Sequence, residues 1–365
     1  MIKDGKFGVH ETIALLAITL SAKVFFSSPS VVASKVGTAG WYMTLISAFV
    51  AFLATVLLIK LLSIYPNKTL MEIYEIVYGK VVGKILSFIL FTSILFNVAI
   101  DSREFIEIMK VYDLPQSPSS YLLILLFMVI GVLAYWGLEA IARFSKLMAF
   151  FLLFAYISVL ILSVKLYEPH RLFPILGYGL DKTILTGIQR SSVYGEIIII
   201  GVIISSLHGI KQAKRAAYLS LLISASIIAT ALLAFTLVFP YYTGEELAAP
   251  IYLMVSLIEY GDFIQRIEPL YFFIWNISTV ISVAALFYVS IIMYAFIFEL
   301  DDKRPLILPL GIIVIFLALI PQNIIQLTKG IVQAIRSYGW IFYFIPPVVT
   351  LVIAKITKKY GGGTS

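Results

Sequence analysis

Two ionisable residues stand where an apolar chain has least use for them. Lys23 interrupts SAKVFF about halfway along the first long hydrophobic segment, and Glu196 interrupts RSSVYGEIII near the middle of the sixth. In a low-dielectric interior such groups pair with each other, share a proton, or meet the charges of a ligand. From mid-span a lysine lies about 15 Å from either interface, further than its side chain reaches, which works against snorkelling. Pairing lowers the cost of burying both charges without necessarily stabilising the fold. For Glu196 alone, hydrogen bonds to the free amides of an interrupted helix are an equal alternative.

The neighbours of both residues are small or hydroxylated. Ser21, Ala22, Ser27 and Ser28 surround Lys23 and precede or flank Pro29, while Ser192, Tyr194 and Gly195 lead into Glu196. The hydroxyls either donate to a ligand or cap interrupted helix ends. Together these residues make a candidate substrate site, with Lys23 and Glu196 its proton-coupling or ion-pair element. Arg190, two turns from Glu196, either draws an anionic group into an outer vestibule or reaches the interface. Arg266, Glu268 and Trp275 mark an outer gate, as a structural clamp in preference to ligand contacts. Asp101, Arg103, Glu104, Glu107 and Lys110 read as a solvated, mixed-charge helix end with intrahelical pairs.

Other chemistry is excluded. There is no cysteine, and His10, His170 and His208 are far apart, so a metal site is not expected. No phosphate-binding glycine loop or nucleophile–base constellation is placed to act, so no cofactor and no enzyme activity are expected. A composition 61% hydrophobic and only 13% charged, with mean hydropathy +1.01, describes a polytopic membrane protein, its partner the lipid bilayer. The apolar runs have the length of membrane helices, unlike the short alternating segments of a barrel.

Ten spans are expected at about 10–34, 40–62, 82–110, 119–136, 141–165, 183–207, 214–239, 264–298, 305–320 and 337–357. Alternating the connections puts sixteen of 27 basic residues on the side of the N-terminus, nine on the other and two, Lys23 and Arg190, within spans. The positive-inside rule then makes both termini cytoplasmic, and the net charge of +7 needs no nucleic acid. Residues 1–360 are expected to form a single transporter-like domain, with 361–365 a flexible tail or expression scar. Its halves, about 1–165 and 183–357, have five spans each and therefore opposite orientations. That is the arithmetic of an inverted repeat in which spans one and six are broken near the midplane, which is where Lys23 and Glu196 fall.

At these residues the sequence resembles the spore-germination permease-like proteins, the B subunits of nutrient germinant receptors in the amino acid–polyamine–organocation superfamily. FFSSPSVVASKVGTAGW resembles the family's first-helix pattern, with Trp41 opening the second helix. EFIEIMKVYDLPQSP is similar to its third helix and Leu-Pro-x-Thr-Pro exit, with Ser117 for threonine. Tyr194-Gly195-Glu196 matches the Gly-Glu of the sixth helix, and GDFIQRIEPLYFFIW the opening of the eighth.

The resemblance implies an all-α fold of the leucine-transporter type, with a small neutral amino acid bound between helices one, three, six and eight. It further implies germinant sensing alongside an A subunit and a C lipoprotein, in the spore inner membrane; otherwise the cell membrane is expected. Two alternatives stay open: a free-standing proton-coupled amino-acid transporter, and an ion- or water-conducting subunit of a germination complex. Lys23 falls where permeases of the superfamily usually have the second glycine of a Gly-x-Gly break. In span five, where some proton-coupled relatives have a deep lysine, Arg143 and Lys146 lie near the end instead.

Overall fold

The computed structural model describes residues 5–260 and 267–357, so Arg266 and the tail 361–365 lie outside the described residues. All the helices and turns that matter here follow from hydropathy and its interruptions. Among the described residues seven helices are long and apolar enough to cross a membrane, and Arg304–Leu319 is a shorter apolar one. The longest, Ser28–Ile64, bends at Gly37, whose φ of 60° is in the left-handed region, so its two limbs belong to different spans. Ser28–Val36 pairs with Val9–Ser21 to make the first span, and Leu180–Gln189 with Ile199–Val202 the sixth. The described residues therefore form an all-helical integral membrane protein of ten spans, with spans one and six broken.

The breaks have local causes. After Ser21 the helix tightens into a 3₁₀ turn, Ala22–Phe25, and Phe26 is extended at φ −88°, ψ −156°. Pro29 then starts Ser28–Val36, where its missing N–H costs nothing at a helix start. In the sixth span Arg190–Ile198 is 3₁₀ throughout, nine residues in a form that rarely lasts beyond three or four. Gly195 sits in that stretch against span ten: a Cβ there would lie 2.2 Å from the Tyr343 ring.

Surface ties hold the ends. Thr69 and Glu72 form a capping box on the short helix Leu70–Tyr78. Beside it Lys80 and Lys84 both reach Glu299, at 2.5 and 2.6 Å, linking the start of span three to the end of span eight. These two ammonium groups hold the Glu299 carboxyl well below the usual carboxylate range, at about 2.

Two expectations are corrected. Span ten starts not at 337 but at Gln326, with a π-helical segment Gln326–Val332 running into Gln333–Thr357. Lys329, Gln333 and Arg336 dilute its hydropathy, so Arg336, which reads as a loop charge, is in fact inside the helix. The far end of span three is also not a solvated face. Asp101, Arg103, Glu104 and Glu107 are 2%, 6%, 1% and 9% exposed, and their partners are Arg336 of span ten, the Pro321 carbonyl, Ser27 at the first break and Ser119 at the start of span four.

The Gly195 contact predicts that Gly195→Ala forces the Tyr343 ring away and costs about 1–3 kcal/mol, the usual price of overpacking. The melting temperature of the detergent-solubilised protein should fall, and Tyr343→Leu in the same chain should recover part of it. An unchanged melt for Gly195→Ala alone would mean the contact relaxes freely.

Candidate functional site

The breaks bring side chains together that a continuous helix would hold apart. Lys23, on the 3₁₀ turn of span one, places its Nζ against Glu196 Oε1 from the break of span six and 3.5 Å from the Val193 carbonyl. Both residues are buried, at 1% and 0% exposure. Beside them Arg336 of span ten donates to Asp101 Oδ1 of span three at 2.9 Å. Glu104, one turn along from Asp101, accepts the Ser27 backbone N–H at 3.0 Å and the Ser27 hydroxyl. Arg190 donates to Ser28 Oγ at 3.3 Å.

These six charged side chains form one electrostatic unit. Arg336 is close enough to act on Glu196 and Glu104 as well as Asp101, and Lys23 on Asp101 as well as Glu196, while Arg190 and Lys23 also feel the like charge of Arg336. With all six ionised, three cations and three carboxylates would sum to zero, which lowers the cost of burying them together. The balance leaves acceptors over. Asp101 Oδ2, Glu104 Oε2 and Glu196 Oε2 are buried without a hydrogen-bond partner, as is Ser191 Oγ.

The other sequence candidates take different positions. Ser21 Oγ donates back to the Ala17 carbonyl of its own helix at 2.7 Å, and Ala22 is buried on the turn beside Lys23. Ser192 Oγ donates to the Arg336 carbonyl, and Tyr194 Oη meets Thr44 Oγ1 of span two at 2.9 Å. Tyr343, over Gly195, accepts from Asn97 of span three. Trp275 is only 2% exposed, edge-on to Phe105, Phe272 and Phe26 with centroids 5.3, 5.4 and 6.0 Å away, and Glu268 is 8% exposed. At Trp275 these rings form an aromatic cluster.

Sequence reasoning missed Asp101, Glu104 and Arg336 as members of the centre. One signal was present: Asn97, Asp101 and Glu104 are spaced by four and three residues, which puts them on one helical face.

Two hollows flank the centre with opposite charge. On the side away from the N-terminus a cavity of about 210 Å³ is bounded by Lys35, Lys182, Gln189, Arg190 and Ser337, with no carboxylate among its lining residues. On the N-terminal side a hollow of about 550 Å³ includes Glu72, Glu75, Glu299 and Asp301, with Lys303.

Two broken spans crossing at a buried charged centre, within ten spans of a 5+5 inverted repeat, make this a permease-like protein of the leucine-transporter fold. Mhp1, a nucleobase-cation-symport-1 family transporter solved in a closed conformation with bromovinylhydantoin bound, matches with a TM-score of 0.68 at 15% identity, over 98% of this chain and 92% of its own. A Na⁺-coupled sialic acid symporter in a substrate-bound outward-open state matches with a TM-score of 0.62 at 12% identity, over 98% and 90%.

The chain belongs to the spore germination protein family, whose permease model matches residues 7–327. Among its relatives in Bacillus subtilis (strain 168), spore germination protein YndE is 24% identical over 95% of this chain and 96% of its own. Spore germination protein A2 is 25% identical over 97% and 98%, and spore germination protein KB 22% over 89% of each.

The geometry predicts a thermodynamic coupling between the two breaks. Lys23→Met leaves the Glu196 carboxylate buried without its counter-charge and should destabilise the protein by about 3–5 kcal/mol. Lys23→Met with Glu196→Gln should recover most of that. Equal unfolding free energies for the single and double variants in detergent would mean the pair is not the coupling element.

Proposed function

We propose that this protein binds a small neutral amino acid at the crossing of its broken spans, as the permease-like B subunit of a germinant receptor. The observation that carries the reading is the balanced buried centre. Its unpartnered carboxylate oxygens on Asp101, Glu104 and Glu196 suit an ammonium group, and its cations suit a carboxylate. The ligand would sit between spans one, three, six and eight, with span ten contributing Arg336. Lys35, Lys182 and Arg190 would draw its carboxylate into the far-side hollow, whose volume of about 210 Å³ suits a small molecule. Binding would favour one arrangement of the broken spans over another to the extent that affinity differs between them.

In this reading both termini are cytoplasmic, the cationic hollow faces outward and the protein works in the spore inner membrane with an A subunit and a C lipoprotein. A second reading, proton-coupled transport without such partners, has one specific support: the Lys23–Glu196 contact is a buried acid–base pair able to hold a proton between two helices that must separate.

Proteoliposomes with labelled alanine, leucine and lysine, with and without a proton gradient, separate these readings. Saturable binding of alanine or leucine without accumulation is the receptor outcome. Gradient-driven accumulation that collapses in Lys23→Met is the transporter outcome. No saturable binding of any of the three would overturn the amino-acid reading.

The far-side hollow gives a further prediction. Lys35→Glu with Lys182→Glu should weaken apparent affinity for the amino acid by about tenfold at low salt, and by less at high salt, because exposed charges are screened over about 10 Å at 0.1 M. A loss independent of salt would point to direct contact or misfolding.

A further inference from the structure

The cationic hollow on the far side is built more fully than a passage for one carboxylate requires. Lys182, Thr186 and Gln189 are spaced by four and three residues, so they share one face of the helix Leu180–Gln189, and Arg190 follows where that helix tightens. Lys35, near the end of the half-helix Ser28–Val36, and Ser337 of span ten stand against them. Spans one, six and ten thus bring three cations and three further polar side chains to a space of about 210 Å³.

The cations have neutral partners only. Arg190 is 3% exposed, and one Nη donates to the Ser28 hydroxyl at 3.3 Å. Its other nitrogens make no bond among the described residues and are not sealed from water, so they open on the hollow that Arg190 lines. Lys35 reaches the side-chain amide oxygen of Gln333, and Lys182 has no ion pair among the described residues. Thr186, Gln189 and Ser337 likewise have donors unbonded among the described residues and open to water.

Charge then selects the occupant. Arg190 already counts in the neutral sum of the centre, whereas Lys35 and Lys182 add two positive charges that no carboxylate of the lining offsets. A monocarboxylate would leave one of them over. A phosphate monoester carries about −1.5 to −2 near pH 7 and three strong acceptor oxygens, and a guanidinium binds two of those at once.

We propose that this hollow holds a doubly charged oxyanion of the phosphate class, with buried Arg190 at its floor and exposed Lys35 and Lys182 at its rim. Thr186, Gln189 and Ser337 donate to the oxygens that the cations leave over. The source is either inorganic phosphate or the monoester headgroup of a lipid. The site does not rest on the amino-acid reading; on that reading, its occupant competes with the substrate's carboxylate at the entrance to the centre.

The test is equilibrium binding of radiolabelled inorganic phosphate to the full-length protein in phosphatidylcholine nanodiscs, with no amino acid present. We expect saturable binding that sulfate displaces at similar concentration and acetate only at about tenfold higher or more, the worth of one charge-assisted hydrogen bond. Lys35→Gln with Lys182→Gln should weaken phosphate by about tenfold or more. Lys211→Gln with Lys214→Gln, two exposed lysines at the start of span seven, should leave it unchanged. Arg190→Gln should abolish binding, and should that variant fail to fold, the two lysine pairs decide the matter by themselves.

No saturable binding, displacement by acetate as easily as by sulfate, or an equal loss in both lysine pairs overturns the proposal. A last arm names the source. Phosphatidate in the nanodisc that displaces labelled phosphate, where phosphatidylglycerol does not, assigns the site to a lipid headgroup. Binding undiminished by either lipid assigns it to free phosphate, and equal loss with both reports only surface charge and overturns the site.

Discussion

Charge buried in a hydrocarbon slab must be answered by opposite charge, and the centre of this protein is arranged around that requirement. The contact between Lys23 and Glu196 exists only because spans one and six are interrupted at the same depth. Interruption frees backbone groups as well, and the Val193 carbonyl helps to hold the ammonium. A continuous helix would keep that carbonyl in its own ladder. The proline at the start of Ser28–Val36, the extended Phe26 and the long 3₁₀ stretch of span six are thus conditions for the ion pair as much as defects in two helices.

The pair does not stand alone, and its partners explain the packing around it. Asp101 and Arg336 bring spans three and ten to the same centre, and Glu104 fastens span three to the first break through Ser27. Gly195 is what lets span ten approach, since any side chain there would occupy the place of the Tyr343 ring. Next to the first break, Phe26, Phe105 and Phe272 pack edge-on around Trp275.

Much of this was legible in the sequence because hydropathy is a strong signal in a membrane and its exceptions are few. Ten spans, a division into halves, and the abnormality of spans one and six all follow from where Pro, Gly, Ser and two charges interrupt apolar runs. The start of span ten was hidden by Lys329, Gln333 and Arg336, since a helix that buries charge against other helices looks like a loop to a hydropathy average. Asp101 and Glu104 were hidden for a related reason. Five charges in ten residues read as a wet surface, and only partners distant in sequence, such as Ser27, Pro321 and Arg336, turn that surface inward. Local sequence carries the breaks; the closure of the charged centre depends on contacts such as Asp101 with Arg336, 235 residues apart.

The neutrality of the centre also bears on what could bind there. A ligand ammonium that takes one of the carboxylates away from its present partner releases a lysine or arginine into the interior. That cation then needs a new anion, and the nearest supply is the ligand's own carboxylate. A zwitterion leaves the sum at zero, whereas an alkylamine strands a protein cation and a simple carboxylate strands a protein anion. Stranding a charge costs more than forming a pair gains. On the proposed reading, preference for a neutral amino acid would therefore come less from its side chain than from the arithmetic of Lys23, Arg190 and Arg336 against Asp101, Glu104 and Glu196.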